Sequence, residues 1–167
     1  MWPWLRKIIN CSSAEELRGA SISEAPFWEV TAPKDHAGFV RVLSGFLPDS
    51  SVLYLEGGSP SHQITDWLET RVIEPSLKIA LGTIWPRPKA FHVPATAENV
   101  LGLAELFEHH ATPEIAIHFH AYRAEEVLLQ WHDAFFSDPL LLSPTIPEKQ
   151  VAAFCARCGC AYKWTDK

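Results

Sequence analysis

Three histidines lie close together in the stretch AIHFHAYRAEEVLLQWHDAF, which covers residues 116–135. His118 and His120 are two residues apart, and His132 is followed directly by Asp133. In an extended strand, residues i and i+2 point to the same face, so the first pair could begin a zinc or iron site. A carboxylate next to an imidazole can fix its tautomer and raise its basicity, which suits general acid–base catalysis. These residue types therefore point to a metal site or to a histidine-dependent catalytic site.

The alternation in this stretch predicts two strands joined by a two-residue turn at Ala124 and Glu125. That register places His118 and His120 on one face of the hairpin and His132 on the other. One bulge or a one-residue slip would bring the three imidazoles together again. In the predicted register a metal needs a further ligand from elsewhere in the chain. The candidates by residue type are His92, His109, His110 and Glu114. We favour the alternative, in which the histidines are structural and hydrogen-bonded at the edge of the sheet.

A second candidate site lies in LYLEGGSPS, where Glu56 and two glycines follow a predicted strand and precede a predicted helix. Open α/β sheets bind ligands at such strand ends, and the free amides of a helix start can hold an anion. The nucleotide-binding patterns G-x-x-x-x-G-K-[ST] and G-x-G-x-x-G are both absent. We therefore favour an ordinary strand-to-helix turn, with Glu56 kept as a catalytic candidate.

Three of the four cysteines lie in CARCGC, near the last residues of the chain. Cys155, Cys158 and Cys160 would supply three zinc ligands at most. Cys155 and Cys158 continue the apolar helical face of Val151 and Phe154, where a cysteine usually behaves as a small buried hydrophobic residue. We expect buried, unreactive thiols at positions 155 and 158 and an exposed thiol at Cys160.

Four of the seven tryptophans fall in segments that are difficult to bury. They are Trp2, Trp4, Trp85 and Trp164. An exposed tryptophan costs free energy unless it contacts another surface. These side chains predict an interface with a partner protein or with a second copy of the chain. The alternative is that the ends of the chain fold back onto the body of the domain and bury them.

Composition limits the functions that these sites can serve. The 167 residues are 47% hydrophobic and 20% charged, as in a globular domain, and their formal net charge is -6. Nucleic-acid binding depends on clustered lysines and arginines, so the negative charge argues against it. The sequence has no run of about 18 apolar residues and no secretory signal, which predicts a soluble, cytoplasmic protein without a membrane partner.

The elements that must position these residues follow from periodicity and capping patterns. Strands are predicted at 26–30, 51–56, 77–84 and 89–93, in addition to the hairpin. Helices are predicted at 12–19, 35–46 and 61–73, from Thr96 onward, and from the Thr145 and Glu148 capping pair to Gly159. From residue 26 onward the order is β-α-β-α-β-β-α-β-β-α, which indicates an α/β, or mixed α+β, fold. We expect a single domain over residues 1–167, in which helices cover a mixed β-sheet of about five to six strands.

No motif in the chain identifies an enzyme, because G-x-S-x-G, H-E-x-x-H and catalytic-cysteine patterns are absent. An acidic domain with aromatic residues available at its surface suits recognition of a basic protein. The sequence therefore predicts a protein-binding or regulatory domain, of the inhibitor or immunity type, without catalytic activity or cofactor. The alternative is a hydrolase-like enzyme, dependent on zinc or histidine, that uses His118, His120 and nearby carboxylates.

Overall fold

The structure is a computed structural model that describes residues 18–83 and 86–167. Its strands are β1 (Phe27–Val30), β2 (Val52–Glu56), β3 (Ala90–Pro94), β4 (His118–Arg123), β5 (Glu126–Trp131), β6 (Leu140–Leu142) and β7 (Tyr162–Thr165). Its helices are α1 (His36–Phe46), α2 (His62–Glu69), α3 (Ala97–His109), α4 (Thr112–Ile115) and α5 (Glu148–Cys158). The strands form one seven-stranded sheet in the order β3-β2-β4-β5-β6-β1-β7, and each neighbouring pair is antiparallel. None of the described helices is both long and apolar enough to cross a membrane.

The mixed α+β class is confirmed, but the sheet has seven strands instead of five to six, and their order and direction differ from the prediction, since every neighbouring pair in the sheet is antiparallel. Residues 77–83, predicted as a strand, pair only through an isolated bridge between Ala20 and Ile79, and this bridge is the one parallel pairing in the described residues. Ile79 is buried, and Leu77 half-buried, against a face of the sheet instead of within it. The strands β6 and β7 were missed because three or four residues are too short to show a period. The predicted helix at 12–19 falls almost wholly outside the described residues.

One face of the sheet packs against helices and forms the larger core. Asp35 and Thr96 begin α1 and α3, since their side chains accept backbone N–H groups of the first turn. The apolar stripes of these helices and of α5 then meet the strands, and Phe39, Leu103 and Phe154 are all buried there. Burying one such side chain stabilises the fold by roughly 1.5–3 kcal/mol. The helices thus fix which face of each strand is apolar.

The opposite face of the sheet carries polar and aromatic side chains, and we name it the histidine face. Its residues are Tyr54, Glu56, His92, His118, His120, Tyr122, Gln130 and His132. Residues 77–83, here the covering segment, lie against this face, where Ile79 packs with Ile22. The Gln130 amide bonds both the N–H and the C=O of Ile22, at 2.7 and 3.1 Å. Loop segments therefore cover this face, and hydrogen bonds from strand side chains hold these loops in place.

Candidate functional site

The hairpin of β4 and β5 contains a bulge that changes its register. Tyr122 pairs with Val127, as the predicted turn requires, but Ala121 pairs with Leu129. Leu128 is therefore an extra residue on β5, and every position beyond it is shifted by one. Because side chains alternate along a strand, the shift moves the far end of β5 to the opposite face from the one predicted.

The shifted register brings His132 to the face that His118 and His120 share. The His132 ring centroid lies 5.4 Å from that of His118 and 4.9 Å from that of His120. The prediction that His132 lies on the other face is therefore wrong. The reason is the core, since the shift places Trp131 opposite Phe119 on the helix side, where both rings are fully buried. Burial of the large Trp131 side chain outweighs the ladder disruption that a bulge causes.

Backbone N–H groups hold both strand histidines at Nδ1. The Nδ1 of His118 accepts the N–H of Asp133 at 3.0 Å, and that of His120 accepts the N–H of Trp131 at 3.2 Å. An imidazole that accepts at Nδ1 is neutral and carries its hydrogen on Nε2. The Nε2 of His118 lies 3.0 Å from Thr83 Oγ1, whereas the buried Nε2 of His120 has no hydrogen-bond partner among the described residues. Both rings therefore present a donor, not a lone pair, at Nε2.

These tautomers bear directly on the metal hypothesis. A metal ligand must supply a lone pair, and neither His118 nor His120 has one at Nε2 while its Nδ1 accepts a backbone N–H. Within the described ranges, no group of three or more His, Cys, Asp or Glu is arranged to hold a metal ion. Zinc binding stays a prediction, and it would require both rings to give up these backbone bonds.

The further ligands suggested by residue type have other surroundings. The Nδ1 of His92 lies 2.9 Å from the Tyr122 hydroxyl, on the histidine face. His110 pairs with Glu114 at 3.5 Å, beyond the end of α3. His109 lies in the last turn of α3 and is exposed. Of these residues, the structure thus places only His92 on the face that carries the three histidines.

Glu56 is the buried acid of the histidine face, with only 1% of its surface exposed. Its carboxylate accepts the Tyr54 hydroxyl at 2.6 Å, the N–H of Gly82 at 3.1 Å and the N–H of Thr83 at 2.8 Å. A buried carboxylate is tolerated when donors satisfy its lone pairs, as these three do. The first turn of α2, predicted as a place for an anion, is capped by Ser61. Glu56 is instead the anion, and amides of the covering segment hold it.

A pocket of about 370 Å³ opens beside this cluster. Tyr54, His92, Lys78 and Arg87 are among the residues of its wall. The Tyr54 ring stacks on His120 with centroids 5.4 Å apart and meets His92 edge-on at 5.1 Å. Burial lowers the pKa of His92 and raises that of Tyr54, so both are uncharged at neutral pH. Tyr54 therefore links the pocket to the three histidines.

Burial and mutual proximity keep two of the three histidines neutral. The pKa of His120 is well below its usual value, first because the ring is buried and then because His132 and His118 are near. Burial and His118 also lower the pKa of His132, against smaller opposing effects of Glu56 and Asp133. Two adjacent positive charges cannot form on this face without a free-energy cost. The arrangement therefore favours uncharged imidazoles above mildly acidic pH.

The described contacts include no acid–base pair between His132 and Asp133. The strand β5 ends at Trp131, and Asp133 follows in a left-handed backbone conformation with φ of 44°. Its side chain is exposed, and no hydrogen bond of the described residues joins its carboxylate to His132. Asp133 contributes its backbone N–H to His118 instead.

The cysteine cluster lies at the end of α5. Cys155 is buried as expected, but Cys158 and Cys160 are both half-buried, so the predicted contrast between them is wrong. Gly159 ends the helix with φ of 66°, and Cys160 folds back so that its N–H reaches the Cys155 carbonyl at 2.9 Å. Burial raises the pKa of Cys155 and of Cys158 to about 12. Such thiols carry little thiolate at neutral pH and react slowly.

Of the predicted interface tryptophans, Trp2, Trp4 and Trp85 lie outside the described residues. Trp164 lies on β7, an edge strand of the sheet, and 43% of its surface is exposed. Its ring meets that of Trp28 edge-on, with centroids 4.6 Å apart.

Sequence reasoning missed the parts of this site that depend on contacts distant in the chain. Tyr54, Gly82 and Thr83 were not candidates, although all three bond to Glu56. A signal for the bulge was present in VLLQWH, where Leu129 and Trp131 alternate with polar residues. Matching those two residues to the apolar side of β4 would have required the shifted register.

No protein-family model matches this chain, and no curated protein or solved structure matches it.

Proposed function

We propose that this chain is a non-catalytic, protein-binding domain whose partner is basic. The observation that carries the proposal is a continuous surface at one end of the sheet, which combines an exposed aromatic side chain with glutamates. Two depressions of about 630 and 490 Å³ meet there at Pro144, which lines both of them. We name the first the Trp164 groove and the second the glutamate pocket.

The Trp164 groove presents a rigid aromatic anchor. Trp28 forms its base and is fixed because its Nε1–H donates to the Ile146 carbonyl at 3.0 Å. Trp164 packs against Trp28, and Tyr162 meets the same indole at 5.9 Å, so three aromatic rings support one another. Exposed aromatic side chains held in place before binding are typical anchors of protein interfaces, because little side-chain entropy is lost on association.

The glutamate pocket supplies the charge that selects the partner. Glu24, Glu125 and Glu126 line it, and no lysine or arginine does so in the described residues. The carboxylate of Glu126 is held by the hydroxyls of Ser143 and Thr145. Glu24 and Glu125 are exposed and form no salt bridge within the described ranges. Together with the net charge of -6 of the whole chain, these glutamates favour a partner segment rich in lysine or arginine.

Substitution of Trp164 tests the anchor. The probe is a random peptide library displayed on phage, selected against the whole chain. We expect basic peptides to be enriched, and Trp164→Ala to weaken their binding by about 30-fold, equivalent to about 2 kcal/mol. The control is Phe136→Ala, which removes another aromatic ring, 58% exposed, that lines neither depression. Equal loss of binding in the two variants would count against the proposal.

Charge reversal tests the glutamate pocket separately. Glu24→Lys combined with Glu125→Lys should abolish enrichment of basic peptides. The control is Glu98→Lys combined with Glu105→Lys, which changes the net charge by the same amount on α3 and should leave the enrichment intact. Sedimentation of the wild-type chain and of Trp164→Ala shows whether a second copy occupies the same surface. A monomeric wild-type chain that enriches no basic peptide would overturn the proposal.

A histidine-dependent hydrolase is the second candidate, and the bulge favours it because it places His132 beside His118 and His120. His132 is the half-buried member of the three and so the one nearest to any substrate in solution. The test is hydrolysis of 4-nitrophenyl acetate by the wild type, by His132→Asn and by the exposed-histidine control His62→Asn. Turnover lost only in His132→Asn would favour the enzyme over the binding domain.

A further inference from the structure

We propose that the histidine face is an acid-operated latch built on the trio His118, His120 and His132, in which protonation of His120 or His132 releases the covering segment that His118 and Glu56 hold on the sheet. This inference does not rest on the partner surface, which lies at the other depressions. It rests on how the neutral trio is hydrogen-bonded and on what the covering segment is attached to.

The last two residues of the covering segment, Gly82 and Thr83, are attached to the sheet by the side chains of Glu56 and His118. Thr83 Oγ1 lies 3.0 Å from Nε2 of His118, and the N–H of Thr83 donates to Glu56 at 2.8 Å. The N–H of Gly82 reaches both carboxylate oxygens of Glu56 at 3.1 Å. The approach is close, since a Cβ at position 82 would lie 2.5 Å from Cδ2 of His118. A change in the His118 ring position must therefore move the segment.

Protonation is incompatible with this arrangement at Nδ1. In His120 that atom accepts the N–H of Trp131, so a proton added there would face another donor. The ring would have to turn or leave, and the backbone N–H would lose its acceptor. A second proton on the trio would also place two positive charges about 5 Å apart in a largely buried site.

The charged and titratable groups around the trio offset one proton, not two. They are Glu56 and Tyr54 on β2, His92 on β3, Tyr122 on β4, Asp133 beyond β5, and Lys78 and Arg87 along the neighbouring pocket. Glu56 is the one buried carboxylate of this set, and Asp133 lies at the exposed rim. Glu56 already accepts three donors, so its charge attracts a first imidazolium but leaves a second uncompensated.

The direction of the pH effect follows from the lowered pKa values. In the unfolded chain His120 and His132 titrate near the ordinary histidine pKa of about 6.5, and in the folded chain their pKa values are lower. Below that pH the unfolded or opened state therefore binds more protons than the closed state. The stabilisation of the closed face is complete above about pH 6.5 and is lost as the pH falls toward the folded pKa values.

Amide hydrogen exchange of the whole chain, read peptide by peptide, tests the latch. Between about pH 7.5 and pH 5.5, we expect exchange of residues 77–83 to accelerate at least about tenfold after correction for the intrinsic rate of an unstructured peptide. The N–H groups of Ala80 and Thr83 are hydrogen-bonded in the closed state and report its opening. Exchange of α1, on the helix side, should not accelerate. Unchanged protection of residues 77–83 at acid pH would overturn the proposal.

Asparagine variants show whether the trio is responsible. His120→Asn keeps an acceptor for the Trp131 N–H but cannot be protonated, so acid acceleration should fall by about tenfold or more relative to the wild type. If that variant does not fold, His132→Asn provides the same test, because its ring makes no hydrogen bond in the described part of the chain. The control is His62→Asn, an exposed histidine paired with Asp66, which should leave the acceleration unchanged. Equal acceleration in the trio variants and the wild type would assign the acid response elsewhere and overturn the latch.

Discussion

The helix-covered face of the sheet and its histidine face are closed by different physical means. On the helix side, Phe39 meets Phe119, Trp131 and Phe154 edge-on, with centroids 5.3–6.1 Å apart. The one polar group of these four rings, the Trp131 indole N–H, donates to the Asp138 carbonyl at 2.9 Å. On the histidine side, Glu56 and His118 hold a loop through directional bonds. The stabilisation from apolar packing is proportional to the area buried, whereas that from a buried polar network depends on every hydrogen-bond partner being present. The first face supplies most of the stability, and the second responds to changes in charge.

The largest effect should come from breaking the helix side. Phe39→Ala removes a ring that is only 1% exposed and leaves a cavity between α1 and the sheet. We expect the free energy of unfolding to fall by about 4 kcal/mol, measured by urea denaturation. Phe136→Ala, at a 58% exposed ring, should change it by less than about 1 kcal/mol. Similar losses in the two variants would contradict the assignment of the main core.

An intermediate effect should come from Glu56→Gln on the histidine side. The substitution keeps the size of the side chain but replaces one oxygen by an NH₂ group, which faces the N–H donors of Gly82 and Thr83. We expect a loss of about 2–3 kcal/mol, because hydrogen bonds to a buried charge are removed. The urea midpoint measures it, with Glu125→Gln as the exposed control. A loss as small as in the control would mean that the network contributes nothing to stability.

A smaller effect should distinguish Gly82, which lies close to the His118 ring, from Gly45, which has space for a side chain. Gly82→Ala places a methyl group 2.5 Å from the His118 ring, and we expect destabilisation by about 1–2 kcal/mol with faster exchange confined to the covering segment. Gly45→Ala, in α1, meets only an arginine side-chain nitrogen at 3.4 Å and should stabilise the chain by about 0.5–1 kcal/mol. Denaturation curves of the two variants should therefore shift in opposite directions, and a shift in one direction would refute the contact with His118.

The smallest effect concerns the turn that joins β4 to β5. Ala124 has φ of 52°, a left-handed conformation that glycine adopts more easily. Ala124→Gly should stabilise the chain by about 0.5 kcal/mol, since relief of strain exceeds the added chain entropy. Ala153→Gly, at an exposed position inside α5, should destabilise it by about 1 kcal/mol. Precise calorimetry of both variants checks the sign, and destabilisation by Ala124→Gly would show that the turn is unstrained.

Local sequence patterns accounted for many of the elements. The apolar spacing of α1 and the cap at Thr96 predicted two helices whose observed starts agree, and Gly159 ends α5 as predicted. The capping pair of Thr145 with Glu148 was wrong, because the Thr145 hydroxyl bonds Glu126 and Pro147 precedes the helix instead. A cap is a contact within one turn, so the sequence predicts it well unless a distant residue competes for the same hydroxyl.

The sequence by itself determined the helices α1, α2, α3 and α5, the central strands, and the placement of His118 and His120 on one face, because these depend on neighbours within a few residues. Only the tertiary structure decided that His132 joins them. That outcome depends on Trp131 reaching a core built from helices far away in the chain, and a bulge at Leu128 is the local cost of burying it. The covering segment was equally beyond local reasoning, since Glu56 and the amides of Gly82 and Thr83 meet across 26 and 27 residues. Side-chain periodicity specifies which residues share a face, but the packing of the whole fold selects the register in which that periodicity is read.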